Sequence, residues 1–347
     1  MKKSLIALAV LASSGAAMAQ SSVTLFGVVD TGVTYVNGEN NWSGLTSGNN
    51  STSRLGFRGV EDLGGGLKAQ FWLEAGINTD SGDGASGKES SNTNTGLEFK
   101  RRSTVSLLGN FGEVRLGRST TAAYDAVSRY DVFGTVGVAQ SRVWGQSQNQ
   151  IRINNMLGFY SADFSGFKFA VNYGFGEQSS TRDGSYVGGS VTYDNGPLSL
   201  GLSAERHNSG STQVTGANVI ADKTAYAIGG SYNFGVAKLL AAYRTQEVEP
   251  VAGGKFDLDG YYVGLSAPVG AAGEVKVSYN RYESDVNDGK ADQFGLGYVH
   301  SLSKRTAVYT SYAYIKNKNG LGVTLGNGGL KDGEKQHAVQ VGVRHNF

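Results

Sequence analysis

Five arginines and two aspartates hold the chemistry that this sequence could perform, and that chemistry is electrostatic. Arg54, Arg58, Arg102 and Arg115 fall, with Lys68, on the polar face of segments whose side chains alternate in polarity. Arg152 opens a further such segment and is followed by Asn154, while Asp125 and Asp131 lie in the long connection before it. A guanidinium stays charged at any physiological pH. Fixed charges on a low-dielectric wall focus their field into an adjacent aqueous path and sort the ions that pass.

Bond-making chemistry finds no comparable support. The four histidines (His207, His300, His337, His345) are scattered without metal-ligand spacing. His207 lies near Glu205 and Ser209, but no serine is marked as a nucleophile held by an oriented base. The run Gly82-Asp83-Gly84-Ala85-Ser86-Gly87 fits G-x-G-x-x-G, yet no apolar strand precedes it and no helix follows, so it reads as a loop. There is no cysteine, which removes thiol and disulfide chemistry. No enzyme activity, cofactor or metal is expected.

The elements that must position the charges are strands. The helical template fails nearly everywhere, while period-two alternation recurs: Ala69, Phe71 and Leu73 oppose Lys68, Gln70, Trp72 and Glu74, and Val275, Val277 and Tyr279 oppose Lys276, Ser278 and Asn280. Seven tight joints, beginning at Leu63–Gly66 and ending at Leu302–Arg305, alternate with eight longer polar stretches. Fifteen connections join sixteen strands. An even count, with short turns on one rim and long loops on the other, predicts an all-β transmembrane antiparallel barrel.

The N-terminus fits export. Met1-Lys2-Lys3, an apolar run from Leu5 to Ala12 and Ala17-Met18-Ala19 form a signal peptide expected to be cleaved after Ala19, giving residues 1–19 as leader and 20–347 as barrel. The apolar run is too short to anchor a helix in a bilayer. Without Lys2 and Lys3 the 31 basic residues become 29, matching the 29 acidic ones. The mature chain is therefore neutral, which gives no support for nucleic-acid binding. A soluble sandwich would also alternate, but it needs a second sheet over its apolar face; the leader and the strand-and-turn units continuing from residue 22 to the end favour the barrel. Tyr35, Tyr160, Phe175, Tyr193, Tyr232, Phe234, Tyr243 and Tyr282 fall near strand ends, where membrane interfaces hold aromatic rings. Ordinary β-propensity would also place them there.

The run Ser53-Arg54-Leu55-Gly56-Phe57-Arg58-Gly59-Val60-Glu61-Asp62-Leu63-Gly64-Gly65-Gly66-Leu67-Lys68-Ala69-Gln70-Phe71 resembles the second hairpin of the Gram-negative general porins, of the neisserial and Burkholderia-like type. Val23–Gly27, Phe111–Arg118, Leu302–Thr306 and the terminal Val341–Phe347 resemble the same family, in its order along the chain. The resemblance implies a sixteen-stranded barrel in the cell outer membrane, usually a homotrimer, with the third long loop folded into the lumen. It also implies that Phe347 is part of the signal read by the barrel-insertion machinery.

Membership would make the chain a water-filled channel for passive diffusion of ions and small hydrophilic solutes. Its further partners would be outer-membrane lipid and lipopolysaccharide. The third loop, 119–150, is richer in apolar residues (Tyr124, Val127, Tyr130, Val132, Phe133, Val136, Val138, Trp144) than its neighbours, as a packed loop must be. Asp125 and Asp131 would then bring acid to the constriction, opposite Arg54, Arg58, Arg102, Arg115 and Arg152. The loop could instead be a rim cap or a trimer contact, and each arginine could line the wall away from the narrowest point. Arg118 has the wrong parity unless the strand ends at Gly117. Basic residues outnumber the acidic Asp30 and Glu74 on the early lumen face, so a weak anion preference is expected. The alternatives are a substrate-specific channel and a closed barrel acting as adhesin or enzyme.

Overall fold

The computed structural model describes residues 22–84, 96–142, 151–178, 182–214, 217–250, 253–331 and 334–347. The expected leader and cleavage site lie outside these residues, as does Trp144. The first half of the barrel comprises β1 (Ser22–Asn37), β2 (Trp42–Ser47), β3 (Arg54–Gly64), β4 (Leu67–Gly76), β5 (Arg102–Gly109), β6 (Gly112–Thr120), β7 (Arg152–Ser161), β8 (Phe167–Gly174) and β9 (Tyr186–Asn195). The second half comprises β10 (Leu198–Val214), β11 (Ala217–Asn233), β12 (Lys238–Pro250), β13 (Phe256–Val269), β14 (Gly273–Ser284), β15 (Gly289–Ser301), β16 (Thr306–Lys318) and β17 (Lys335–Asn346). A short helix, α1 (Ala122–Ser128), lies between β6 and β7.

Every pairing is antiparallel between neighbours, and β1 closes the sheet against β17, with Val28 opposite Asn346 and Asn37 opposite His337. β2 and β3 occupy successive stretches of the other edge of β1, Thr31–Val36 and Ser22–Val28. They are one stave with an inward break at 48–53, so seventeen strands make the sixteen staves that the turn count predicts. Closure leaves no open edge, as a bilayer demands. The last residue completes it: the Phe347 amide donates to Gly27 O at 3.1 Å and the Gly27 amide to Phe347 O at 3.0 Å. Gly27 has no room for a side chain, since a Cβ there would lie 2.4 Å from the Phe347 ring and 2.6 Å from Arg54 O.

The polarity is inside-out. Val23, Leu25, Val29 and Val33 of β1 are exposed, while Asp30 and Thr34 are buried, and Asn172, Asn280 and Gln293 are buried on later strands. A period-two pattern with exposed apolar residues is stable only against lipid. No helix among the described residues is long and apolar enough to cross a membrane; the crossing is made by strands. Outward rings gather in two belts. Phe167–Tyr193 (4.4 Å between centroids) and Tyr232–Phe234 (4.7 Å) lie at the tight-turn rim, Tyr243–Tyr261 and Tyr279–Phe294 (both 5.0 Å) toward the loop rim. Tyr160 and Tyr282 depart from the interfacial expectation. Tyr282 is buried under the folded-in loop, and Tyr160 underlies an arginine in the lumen.

Candidate functional site: a constricted lumen

The connection after β6 does not stay at the rim. Thr121 caps α1 by accepting from the Tyr124 amide at 3.1 Å, a role short hydroxyl side chains fill well. The helix buries Ala122, Ala123, Ala126 and Val127. Beyond it, Tyr130, Val132, Phe133, Val138 and Ala139 join one core with Ala227, Leu240, Ala242, Tyr262 and Tyr282 of the barrel wall. Fully burying a side chain such as Val127 or Phe133 contributes ~1.5–3 kcal/mol. The ring of Tyr130 lies against Gly229, where a Cβ would come within 2.3 Å of it.

Polar ties carry the loop around the wall. Asn172 of β8 accepts from the Ala122 amide. The Val132 amide donates to the Tyr262 hydroxyl of β13 at 2.7 Å and the Val138 amide to Gln340 Oε1 of β17 at 2.8 Å. Gln293 of β15 donates to Gln140 O at 2.9 Å, and the Arg142 amide donates to the Tyr282 hydroxyl of β14. These contacts span β8 to β17 and leave β3–β7 facing the remaining lumen. Burial pushes the Arg142 guanidinium below its ordinary range and the Tyr124 hydroxyl above it.

The two loop aspartates part company. Asp131 is 5% exposed. It accepts from the amides of Phe133 (2.9 Å), Thr135 (3.0 Å) and Ser141 (2.8 Å), and from the Tyr262 hydroxyl at 3.3 Å. It is the staple that shapes the loop and presents no charge to a passing ion. Burial pushes its carboxyl above the ordinary range, against the pull of the three amides. Asp125 is exposed to the lumen and accepts from the Thr120 hydroxyl at 2.9 Å. Enclosure by the barrel raises its carboxyl, opposed by Thr120 and by Arg115, Arg152 and Arg102, whose fields all reach it.

The wall opposite is an arginine ladder. Arg115 of β6 donates to Glu113, to Ser119 Oγ at 3.1 Å, and lies 4.0 Å from the Tyr160 ring centroid. Arg102 of β5 stands 3.6 Å from Glu113 and stacks on Trp72 at 4.4 Å. Arg58 packs against the same indole at 5.4 Å and is exposed, so Trp72 joins the two levels. Arg54 donates to Thr52 O at 2.9 Å and is 4.0 Å from Glu74. Arg152 donates to Arg101 O at 3.0 Å. Of the seven residues read from the sequence, Arg54, Arg58, Arg102, Arg115, Arg152 and Asp125 thus border the open lumen or the ladder beside it, and Asp131 does not.

Arg101 and Glu113 were missing from that reading. Arg101 donates to Glu74 at 2.6 Å from just before β5. Glu113 shares the face of Arg115, two residues earlier, a spacing that could have revealed it. Asp30 has lumen parity but is consumed: the Asn50 and Ser51 amides donate to it at 2.8 and 2.6 Å, as does the Tyr309 hydroxyl. That bonding folds the break at 48–53 inward. Arg118 follows Gly117, which has φ +117°, at a register shift in the β6–β7 pairing. It turns to Lys100 O and Asn154 Oδ1, both at 2.6 Å.

A closed barrel that is apolar outside, polar inside and narrowed by its own third loop is a transmembrane channel of the porin class. The chain belongs to the Gram-negative porin family, whose model matches residues 4–320. It is 48% identical to outer membrane porin protein 32 of Delftia acidovorans over the whole of both chains, and 28% identical to major outer membrane protein P.IB of Neisseria lactamica, again over both in full. Among solved structures, an anion-selective porin from Comamonas acidovorans superposes with TM-score 0.83 at 44% identity, covering 94% of this chain and all of that one. The protein is an outer-membrane porin.

Proposed function

We propose that the channel favours small anions weakly, that its selectivity is set between Asp125 and the ladder of Arg54, Arg101, Arg102, Arg115 and Arg152, and that it works as a homotrimer. The observation that carries this is the charge inventory of the constriction. Five guanidiniums stand there against Glu74, Glu113 and Asp125, because Asp30 and Asp131 are buried in hydrogen bonds. An uncompensated charge about 4 Å from a passing ion contributes ~1 kcal/mol in water-like dielectric, and salt screens it further. A surplus of two therefore yields modest discrimination. No proton or bond changes hands: the arginines lower the cost of dehydrated approach for an anion and raise it for a cation. Arg58, one level toward the tight-turn rim, guides ions at the exit.

The anion-selective relative supports the sign, and one solved structure of the same fold, in a trimer form, supports the trimer. Phe347, whose carbonyl and amide close the ladder, is read as part of the barrel-insertion signal on the strength of the family membership. Reversal potentials across a planar bilayer under a salt gradient test the preference. A saturable block by one solute class would instead mark a substrate-specific channel, and absence of stepwise conductance would mark a closed barrel.

A further inference from the structure

On the inner face of β10–β12, toward the loop rim and across the barrel from the arginine ladder, two buried nitrogens are left over. Alternation turns Leu202 and Tyr226 to the lipid and His207 of β10 and Lys223 of β11 inward, where they are 5% and 4% exposed. The register makes the two direct partners across the strand pair. Neither His207 Nε2 nor Lys223 Nζ has a hydrogen-bond partner among the described residues. The field of the ammonium reaches the imidazole, so the two groups adjoin.

What surrounds them is already satisfied or apolar. The buried ring of Tyr186 on β9 packs against His207, with 4.5 Å between centroids. Toward the loop rim, Ala221, Val248 and Phe256 form an apolar cap, and Val248 is the register partner of Lys223 on β12. Toward the tight-turn rim, Glu205 accepts from the Tyr186 hydroxyl on one oxygen and from Arg244 on the other, each at 3.1 Å. Arg244 also donates to Gln246 at 2.6 Å. Glu205 and Arg244 thus balance one another.

A buried ammonium calls for a counter-charge, and the chain has none to give Lys223. Asp222, its neighbour in sequence, faces outward and pairs with Arg206 at 3.3 Å. Glu247 and Glu249 flank the inward Val248, face outward and engage Lys255, and Asp259 accepts from the outward Tyr243 hydroxyl at 2.7 Å. The adjoining stretches 143–150, 179–181, 209–220 and 251–252 contain no acidic residue. Two enclosed donors, one surplus positive charge and an apolar cap suit a dehydrated monatomic anion. We infer that Lys223 Nζ and His207 Nε2 hold a resident halide, chloride, as a structural counter-ion between β10 and β11. His207 donates in the tautomer that carries its proton on Nε2. The ion lies off the conduction path, and its assignment does not rest on an arginine-set constriction.

Crystals of the full-length porin grown in sodium bromide test this by anomalous scattering. A bromide peak within hydrogen-bond reach of both nitrogens should be present in the wild type and absent from Lys223→Met. In detergent, replacing chloride with gluconate, too large for the site, at constant ionic strength should lower the wild-type unfolding temperature by about 2 °C or more. Lys223→Met should not respond to that exchange. It removes the ammonium together with its chloride, so the charge of the lumen is unchanged and its reversal potential should match the wild type. If Lys223→Met does not fold, His207→Leu serves: it keeps the charge but loses one donor, and should raise the bromide concentration that fills the site about ten-fold. A wild-type crystal without bromide at this pair would overturn the site, as would an equal response of wild type and Lys223→Met to gluconate. So would a reversal potential that Lys223→Met moves as far as Arg102→Ala does, because the ion would then lie in the conduction path.

Discussion

Arg115 and Glu113 form a two-pronged ion pair along one face of β6: Nε donates to Oε1 at 2.8 Å and Nη2 to Oε2 at 2.9 Å. Glu113 also accepts from Ser106 at 2.7 Å and stands 3.6 Å from Arg102. One carboxylate thus orients two guanidiniums and offsets one of their charges. Paired geometry of this kind holds an arginine more rigidly than a single contact. Glu113→Gln should therefore strengthen anion preference in reversal-potential measurements, with the largest change at low ionic strength. An unchanged potential would mean that this pair lies off the ion path.

Asp125 gives the pH dependence. Enclosure holds its carboxyl above the ordinary range, so it gains its proton at a higher pH than a surface aspartate. Protonation removes a negative charge from the lumen. Anion selectivity should accordingly rise as pH falls toward the ordinary carboxylate range from above, and Asp125→Asn should be anion-shifted at neutral pH and lack that early rise. The measurement is reversal potential against pH for both proteins.

Asp131 answers for shape. Removing a buried acceptor leaves its donors unsatisfied at ~1–3 kcal/mol, and Asp131→Ala would strand three loop amides. The expected outcome is a noisier and larger single-channel conductance with little change in selectivity. A quiet channel of wild-type size would show that the apolar contacts of Tyr130 and Phe133 suffice.

Gly27 tests the seam. A methyl group there meets the Phe347 ring and Arg54 O at once, so Gly27→Ala should lower the temperature at which the folded barrel unfolds in detergent. Trimming the ring with Phe347→Leu in the same chain should recover part of the loss. No recovery would place the strain at the Arg54 carbonyl alone.

Much of this architecture was legible because a strand has a period of two. Parity placed Arg54, Arg102 and Arg115 on the lumen face, and the apolar content of 119–150 marked the loop that packs inside. Parity cannot say which lumen residues are free. Asp30 and Asp131 are acids of the right type in the right place, yet both are absorbed by backbone amides that only the folded break and the folded loop bring to them. Arg118 depends on a bulge at Gly117, which exists only in the pairing with β7. Arg101 stands just outside β5, where alternation gives no guide.

The most direct test is the reversal potential of the reconstituted wild-type channel across a planar bilayer with a potassium chloride gradient, repeated for Arg102→Ala and Arg115→Ala. The wild type should give a potential signed for anions, and each substitution should move it toward zero. A cation-signed wild-type potential, or one that neither arginine affects, would contradict an arginine-set constriction.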